Sequence, residues 1–233
     1  MDRDNNFKQN EFDEVSLVLT PPASTMLSAL VGDWPAHIEG QDKEGFLCEI
    51  IKQCCAGLAY MHREGVMHRD VKPDNVGIIT LQPPRIVLID LGHSEKCATS
   101  TDHMKGTIRY LAPEILYLKK QTSDGYYDNK VDIWALGVTA FEMFAQRRVT
   151  CTVAAEENRA WLEQELTPPA DSQYGSFICL IKRMLEWNPY MRINAYGALT
   201  ALGDPCGSSR EGKRKQQQQV DISGLKERLN RCI

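Results

Sequence analysis

No apolar run in the 233-residue chain approaches the ~20 residues that cross a bilayer, so no membrane span is expected. There is no C-x-x-C and no pair of histidines at metal-ligand spacing, which removes the usual signatures of zinc and dithiol redox chemistry. Neither sign of charge dominates. The net charge is −4 and the pI near 5.8, so nothing in the bulk charge draws the chain to nucleic acid or to an anionic membrane. The opening MDRDNNFKQN is polar and acidic, wrong for a secretory leader. No internal repeat is visible. What remains is a globular composition, 42% hydrophobic and 25% charged, in a length that suits one large domain or two small ones. The eight cysteines are scattered, and Cys54 and Cys55 fall in an apolar-periodic segment that reads as buried free thiols. That usage fits a reducing intracellular compartment, cytoplasmic or nuclear.

Residues 1–14 are polar and featureless. Val15–Leu19 reads as a short buried strand, followed by a Pro-Pro turn and a helix start at Ser24/Thr25. Phe46, Leu47, Ile50, Ile51, Cys54, Leu58 and Met61 mark one helical face across 43–64, and Gly65 closes that helix. Val76–Thr80 and Arg85–Ile89, joined by LQPP, read as a hairpin. Residues 91–111 read as a surface loop. Val131–Ala145 is apolar nearly all round, which predicts a buried central helix. Further helices are predicted at 156–166, 174–186 and 194–202. Residues 203–233 form a linker-like basic and Gln-rich tail with a short amphipathic helix at its end. Lys213-Arg214-Lys215 there reads as solvated charge, with a nuclear address as the alternative.

The chemistry concentrates in His68-Arg69-Asp70-Val71-Lys72-Pro73-Asp74-Asn75, which resembles the catalytic loop H-R-D-L-x-x-x-N of protein kinases. Asp90-Leu91-Gly92 resembles the metal-binding D-F-G, and Gly106-Thr107-Ile108-Arg109-Tyr110 with Ala112-Pro113-Glu114 resembles G-T-x-x-Y and A-P-E. Asp132-Ile133-Trp134-Ala135-Leu136-Gly137 is similar to the central-helix D-x-W-x-x-G, and Asn188 to Arg192 to N-P-x-x-R. By this resemblance the chain is identified as a member of the eukaryotic-type Ser/Thr protein kinases over residues 15–202.

The resemblance implies ATP-dependent phosphorylation of protein Ser/Thr hydroxyls, with Mg²⁺. Asp70 is implied as catalytic base, with Lys72, Asn75 and Thr107 beside it; Asn75 and Asp90 are implied as Mg²⁺ ligands. Nucleotide contacts are implied for Leu19, Thr20, Lys72, Asn75 and Asp90. Arg69 is implied to receive an activation-loop phosphate, with Thr99, Ser100 and Thr101 as candidate acceptors. His68, Arg69, Glu114, Asp132 and Arg192 are implied as structural, the Glu114–Arg192 ion pair among them. The implied partner is a protein substrate or a regulatory protein, with no nucleic acid and no membrane.

G-x-G-x-x-G occurs nowhere in the chain, and the only lysine before Val15 is Lys8, among Asn and Gln. The expected fold is therefore protein kinase-like (α+β), a mostly helical C-lobe with a small β-hairpin and the N-lobe β-sheet absent or vestigial. Pro22 falls where the family offers a hinge N–H, and Gly77 where it usually places an apolar side chain beneath adenine. On this reading ATP binding is weak. The function is then either a Ser/Thr kinase of low activity as this chain alone or a C-lobe-only pseudokinase acting as a scaffold or binding module, with a degenerate fragment as a minor third option.

Overall fold

The computed structural model describes residues 23–33, 42–120, 125–167 and 175–203. The expected strand Val15–Leu19, the nucleotide contacts Leu19 and Thr20, Pro22 and the helix of the tail lie outside the described residues.

Helix α1, Lys43–Arg63, begins where Asp42 accepts a 2.9 Å hydrogen bond from Gly45 N, satisfying one of the unpaired first-turn donors. Its predicted apolar stripe is buried: Leu47, Ile50, Ile51, Cys54, Leu58 and Met61 face the core. The helix stops at Gly65, whose φ of +74° is a left-handed conformation that a side chain disfavours. The chain then enters strand β2, Val66–Met67, and the catalytic-loop motif directly follows.

Strands β3, Val76–Leu81, and β4, Pro84–Leu88, form the predicted hairpin. Strand β1, Thr25–Met26, pairs antiparallel with β3, Met26 opposite Gly77. A Cβ at Gly77 would lie 2.7 Å from Ala23 Cβ, so glycine is what lets the segment before β1 close over β3. Ser24 reinforces the join, its backbone N–H and its hydroxyl both donating to the Ile78 carbonyl at 2.7 and 2.9 Å.

Residues 91–111 are more regular than the surface loop expected of them. They contribute β5, Glu95–Lys96, which pairs with β2, and β6, Thr99–Ser100, which pairs with β7, Tyr127–Asp128. The expected fold is thereby corrected. The β structure is not one hairpin beside an absent or vestigial sheet; it is a three-stranded sheet, order β1-β3-β4, with two further two-stranded sheets. The added strands are two residues long, too short to carry a period-2 signal, and their partners are distant in sequence. Ser24/Thr25, expected to start a helix, enters β1 and a single 3-10 turn at Leu27–Leu30 instead.

The helical layer is built around helix α3, Lys130–Ala145, which follows the short α2, Pro113–Lys119. Every α3 residue from Val131 to Met143 is buried, as an all-round apolar sequence requires. A Cβ at Gly137 would lie 2.9 Å from Met184 Cβ, so its absence sets how closely α3 meets α5, Gly175–Met184. Trp134 stacks edge-on to Trp187 at 5.6 Å, and the Arg192 guanidinium covers the Trp134 ring at 5.1 Å. The segment expected as one helix at 156–166 is a 3-10 turn, Glu156–Asn158, running into α4, Arg159–Glu165. Helix α6, Ala195–Gly203, packs against α1. Among the described residues no helix is long and apolar enough to cross a membrane.

Candidate active site

The catalytic loop leaves β2 in a conformation that must be enforced. Arg69 has φ of +67°, a left-handed geometry that costs a non-glycine residue roughly 1–3 kcal/mol. Asp132, at the start of α3, enforces it. One carboxylate oxygen accepts from Arg69 N at 2.7 Å, and the other from His68 N at 2.9 Å and His62 Nε2 at 2.8 Å. Asp132 is 1% exposed. Burial pushes its pKa up, but the His62 hydrogen bond, the nearby histidines and the His68 amide outweigh that and hold it below the ordinary range.

Asp70, buried beside this anchor, has its lone pairs fully engaged. Oδ1 accepts from Thr107 Oγ1 at 2.8 Å and Thr107 N at 3.1 Å; Oδ2 accepts from Lys72 Nζ at 2.7 Å and Asn75 Nδ2 at 3.0 Å. Four partners match the roughly four lone-pair sites of a carboxylate. Desolvation raises the Asp70 pKa, yet the hydrogen bonds from Lys72 and Thr107 and the Lys72 charge bring it net below the usual carboxylate range. It is therefore an ionised acceptor at neutral pH. Lys72 also donates to Thr107 Oγ1 at 2.9 Å, and Asn75 to the Asp70 carbonyl at 2.8 Å. The structure thus brings Asp70, Lys72, Asn75 and Thr107 into one cluster.

The hairpin delivers Asp90 to the same end of the site. Val76 pairs with Leu88 and Ile89 N donates to the Asn75 carbonyl at 3.0 Å, so Asn75 begins one strand where Asp90 leaves the other. His68 Nε2 lies 3.2 Å from the Ile89 carbonyl and ties that end to the catalytic loop. Asp90 has φ of +60° and is exposed, with Oδ1 accepting from Gly92 N at 3.3 Å. One carboxylate and one amide suit a hard divalent cation, which prefers oxygen donors. Among the described residues no cluster of three or more His, Cys, Asp or Glu could enclose a metal.

Around this centre lie contacts that the motifs did not single out. The Arg69 side chain, 8% exposed, donates to the His93 carbonyl at 2.6 Å, to Glu95, and more distantly to Asp102 and the Tyr127 hydroxyl, each at 3.4 Å. Thr99 and Thr101 are exposed, whereas Ser100 is buried with its hydroxyl accepting from Asp102 N at 3.1 Å. Arg148 reaches back to the catalytic loop, meeting both Asp74 oxygens at 3.1 Å and Glu142 at 3.4 Å. Burial raises the Glu142 pKa despite hydrogen bonds from Val149 N and the Tyr110 hydroxyl. Away from the centre, Arg192 grips Glu114 through two bonds of 2.7 and 2.9 Å. Arg69 lies 26 and 33 residues from Glu95 and Asp102, and Arg148 lies 74 from Asp74, so no local spacing marks these pairs, whereas the Glu114–Arg192 pair was implied by the resemblance.

The profile described as Protein kinase domain matches residues 11–202. The chain is 34% identical over 183 residues to Serine/threonine-protein kinase cds1 of Schizosaccharomyces pombe, covering 70% of this chain and 39% of that protein. It is 33% identical over 144 residues to Serine/threonine-protein kinase BCK1/SLK1/SSP31 of Saccharomyces cerevisiae, covering 60% of this chain and 9% of the relative. It is 40% identical over 99 residues to Putative mitogen-activated protein kinase 14C of Drosophila melanogaster, covering 42% of this chain and 26% of the relative. The chain thus spans well under half the length of each. The profile match overturns the expectation of a C-terminal lobe alone, because the domain is matched from residue 11 onward.

Proposed function

Because the chain belongs to the protein kinase family, and is a phosphotransferase by that membership, we propose that residues 11–202 transfer the γ-phosphoryl group of ATP to Ser and Thr hydroxyls of a protein substrate. The observation that carries this reading is the Asp70 carboxylate, ionised and held by Lys72, Thr107 and Asn75. Phosphoryl transfer asks mainly for positioning and charge neutralisation, because its loose transition state needs little activation of the nucleophile. A carboxylate of lowered pKa suits that role as an acceptor that orients the hydroxyl and takes its proton late.

Since every Asp70 lone pair is occupied, an acceptor hydroxyl enters only when one donor leaves. Lys72, partly exposed and bound to both Asp70 and Thr107, is the donor that can turn toward a phosphate; that move frees Oδ2 for the hydroxyl and brings a positive charge to the transferring group. Thr107 keeps Oδ1 fixed meanwhile. Mg-ATP, when bound, would supply the phosphoryl group, and Asn75 and Asp90 are the residues that would hold the cation.

A second reading, a binding module without turnover, has one observation in its favour: at Gly77, where the family resemblance leads one to expect an apolar side chain beneath a nucleotide base, Ala23 lies 2.7 Å from where a Cβ would be. Incubation with Mg-ATP and a Ser/Thr peptide library, beside Asp70→Asn, separates the two. Phosphoserine or phosphothreonine formed by the wild type and lost in the variant supports transfer. No product from either protein supports the binding module.

A further inference from the structure

The Arg69 side chain sits directly before Asp70, 8% exposed, and already engages acceptors of its own chain through Nε and Nη1. Its guanidinium meets Glu95 and Asp102, its Nε donates to the His93 carbonyl at 2.6 Å, and Tyr127 caps the group. The Tyr127 hydroxyl in turn donates to the Asp102 carbonyl at 2.6 Å, locking that turn. The backbone repeats the arrangement. Glu95 lies opposite Met67, the residue before His68, in the β2–β5 pair, and Ser100 lies opposite Tyr127 in the β6–β7 pair. Arg69 thus holds two carboxylates of the 91–110 segment, and Asp70 takes two hydrogen bonds from Thr107 of the same segment.

We propose that Glu95 and Asp102 are positioning residues for Asp70: through Arg69 they fasten residues 91–110 to the catalytic loop with the chain's own carboxylates, so that the site assembles without a phosphate on that segment. The proposal rests on the phosphotransfer reading for its meaning, but not for its test. It reverses the sign expected of phosphorylation. Two carboxylates already face one guanidinium, and a phosphate on exposed Thr99 or Thr101 adds about −1.5 to −2 charge at pH 7 beside them. That charge competes for Arg69 and repels Glu95 and Asp102, and so loosens the segment.

Hydrogen exchange of amides 97–110 in the phosphatase-treated full chain provides the measurement, read beside Glu95→Gln, Asp102→Asn, their double variant and Glu95→Asp. The unphosphorylated wild type is expected to be protected. Each single variant loses about tenfold in protection, the effect of one charge-assisted hydrogen bond, and Glu95→Asp recovers part of it. Where turnover is measurable, kcat falls with the protection while KM for ATP changes less. Unchanged protection in the double variant, or an unprotected wild type after phosphatase, overturns the proposal. Thr101→Glu gives an arm independent of the double variant's folding: a fall or no change in protection supports the latch, and a rise overturns it. A protected wild type that transfers no phosphate sinks the phosphotransfer reading and leaves the latch standing.

Discussion

Replacing Asp132 should unfasten the catalytic loop more than any other single change. Its carboxylate satisfies the His68 and Arg69 amides and His62, all in the interior. Asp132→Ala leaves two backbone donors and an imidazole without their acceptor, at roughly 1–3 kcal/mol for each buried group left unpaired. It also releases the constraint that keeps Arg69 at φ of +67°. Relaxation and entering water return part of this, so the net loss is expected at about 3–5 kcal/mol, the range for breaking a buried charged network. Against a domain stability of ~5–15 kcal/mol that is a third or more of the total. Urea denaturation followed by tryptophan fluorescence reads it, since Trp134 lies two residues away and fully buried. The pH dependence provides a second check. Asp132 has a lowered folded pKa, so its stabilisation is fully present above the unfolded value near 3.9 and is lost as pH falls through the folded one. Asp132→Asn removes that titration, so the gap in stability between variant and wild type should narrow as the solution is acidified below about pH 4. A loss under about 1 kcal/mol at pH 7, or a gap that widens in acid, refutes the reasoning.

Two further outcomes follow from the same structure. Arg192→Met breaks the bidentate pair with Glu114 and should cost about 3–5 kcal/mol, while the double change with Glu114→Leu recovers part of it because no charge is left stranded; a double variant less stable than the single one contradicts this. Burial pushes the Cys54 thiol up to about 12 and also raises Cys55, whereas Cys179 is exposed, so alkylation at pH 8 should modify Cys179 long before either buried thiol, and equal rates would be the refuting result.

Much of the scaffold was legible because periodicity carried it. The stripe from Phe46 to Met61 gave α1 to within a residue or two, the apolar run from Val131 gave α3, and LQPP between two β-branched runs gave the hairpin. Strands β1, β2, β5, β6 and β7 were not legible, since each is two residues long and exists only because a distant partner supplies its hydrogen bonds. The site divides in the same way. Asp70, Lys72 and Asn75 stand within six residues and read as one device, and Thr107 entered through its own short motif. Glu95 and Asp102 carry no motif, and their meeting with Arg69 depends on β5 returning to β2. Arg148 was equally silent, because its contact with Asp74 is made across 74 residues of chain.

The central claim is that Asp70 orients a hydroxyl for phosphoryl transfer, and the kcat of Asp70→Asn against wild type tests it most directly. Asparagine keeps the size of the side chain but replaces a charged acceptor with an amide that cannot take the proton. The account predicts that kcat falls by about 10²–10⁴ while KM for ATP stays within a few-fold, the signature of a proton-accepting group acting in the transition state. A wild type that phosphorylates Ser or Thr while Asp70→Asn matches its kcat would contradict it.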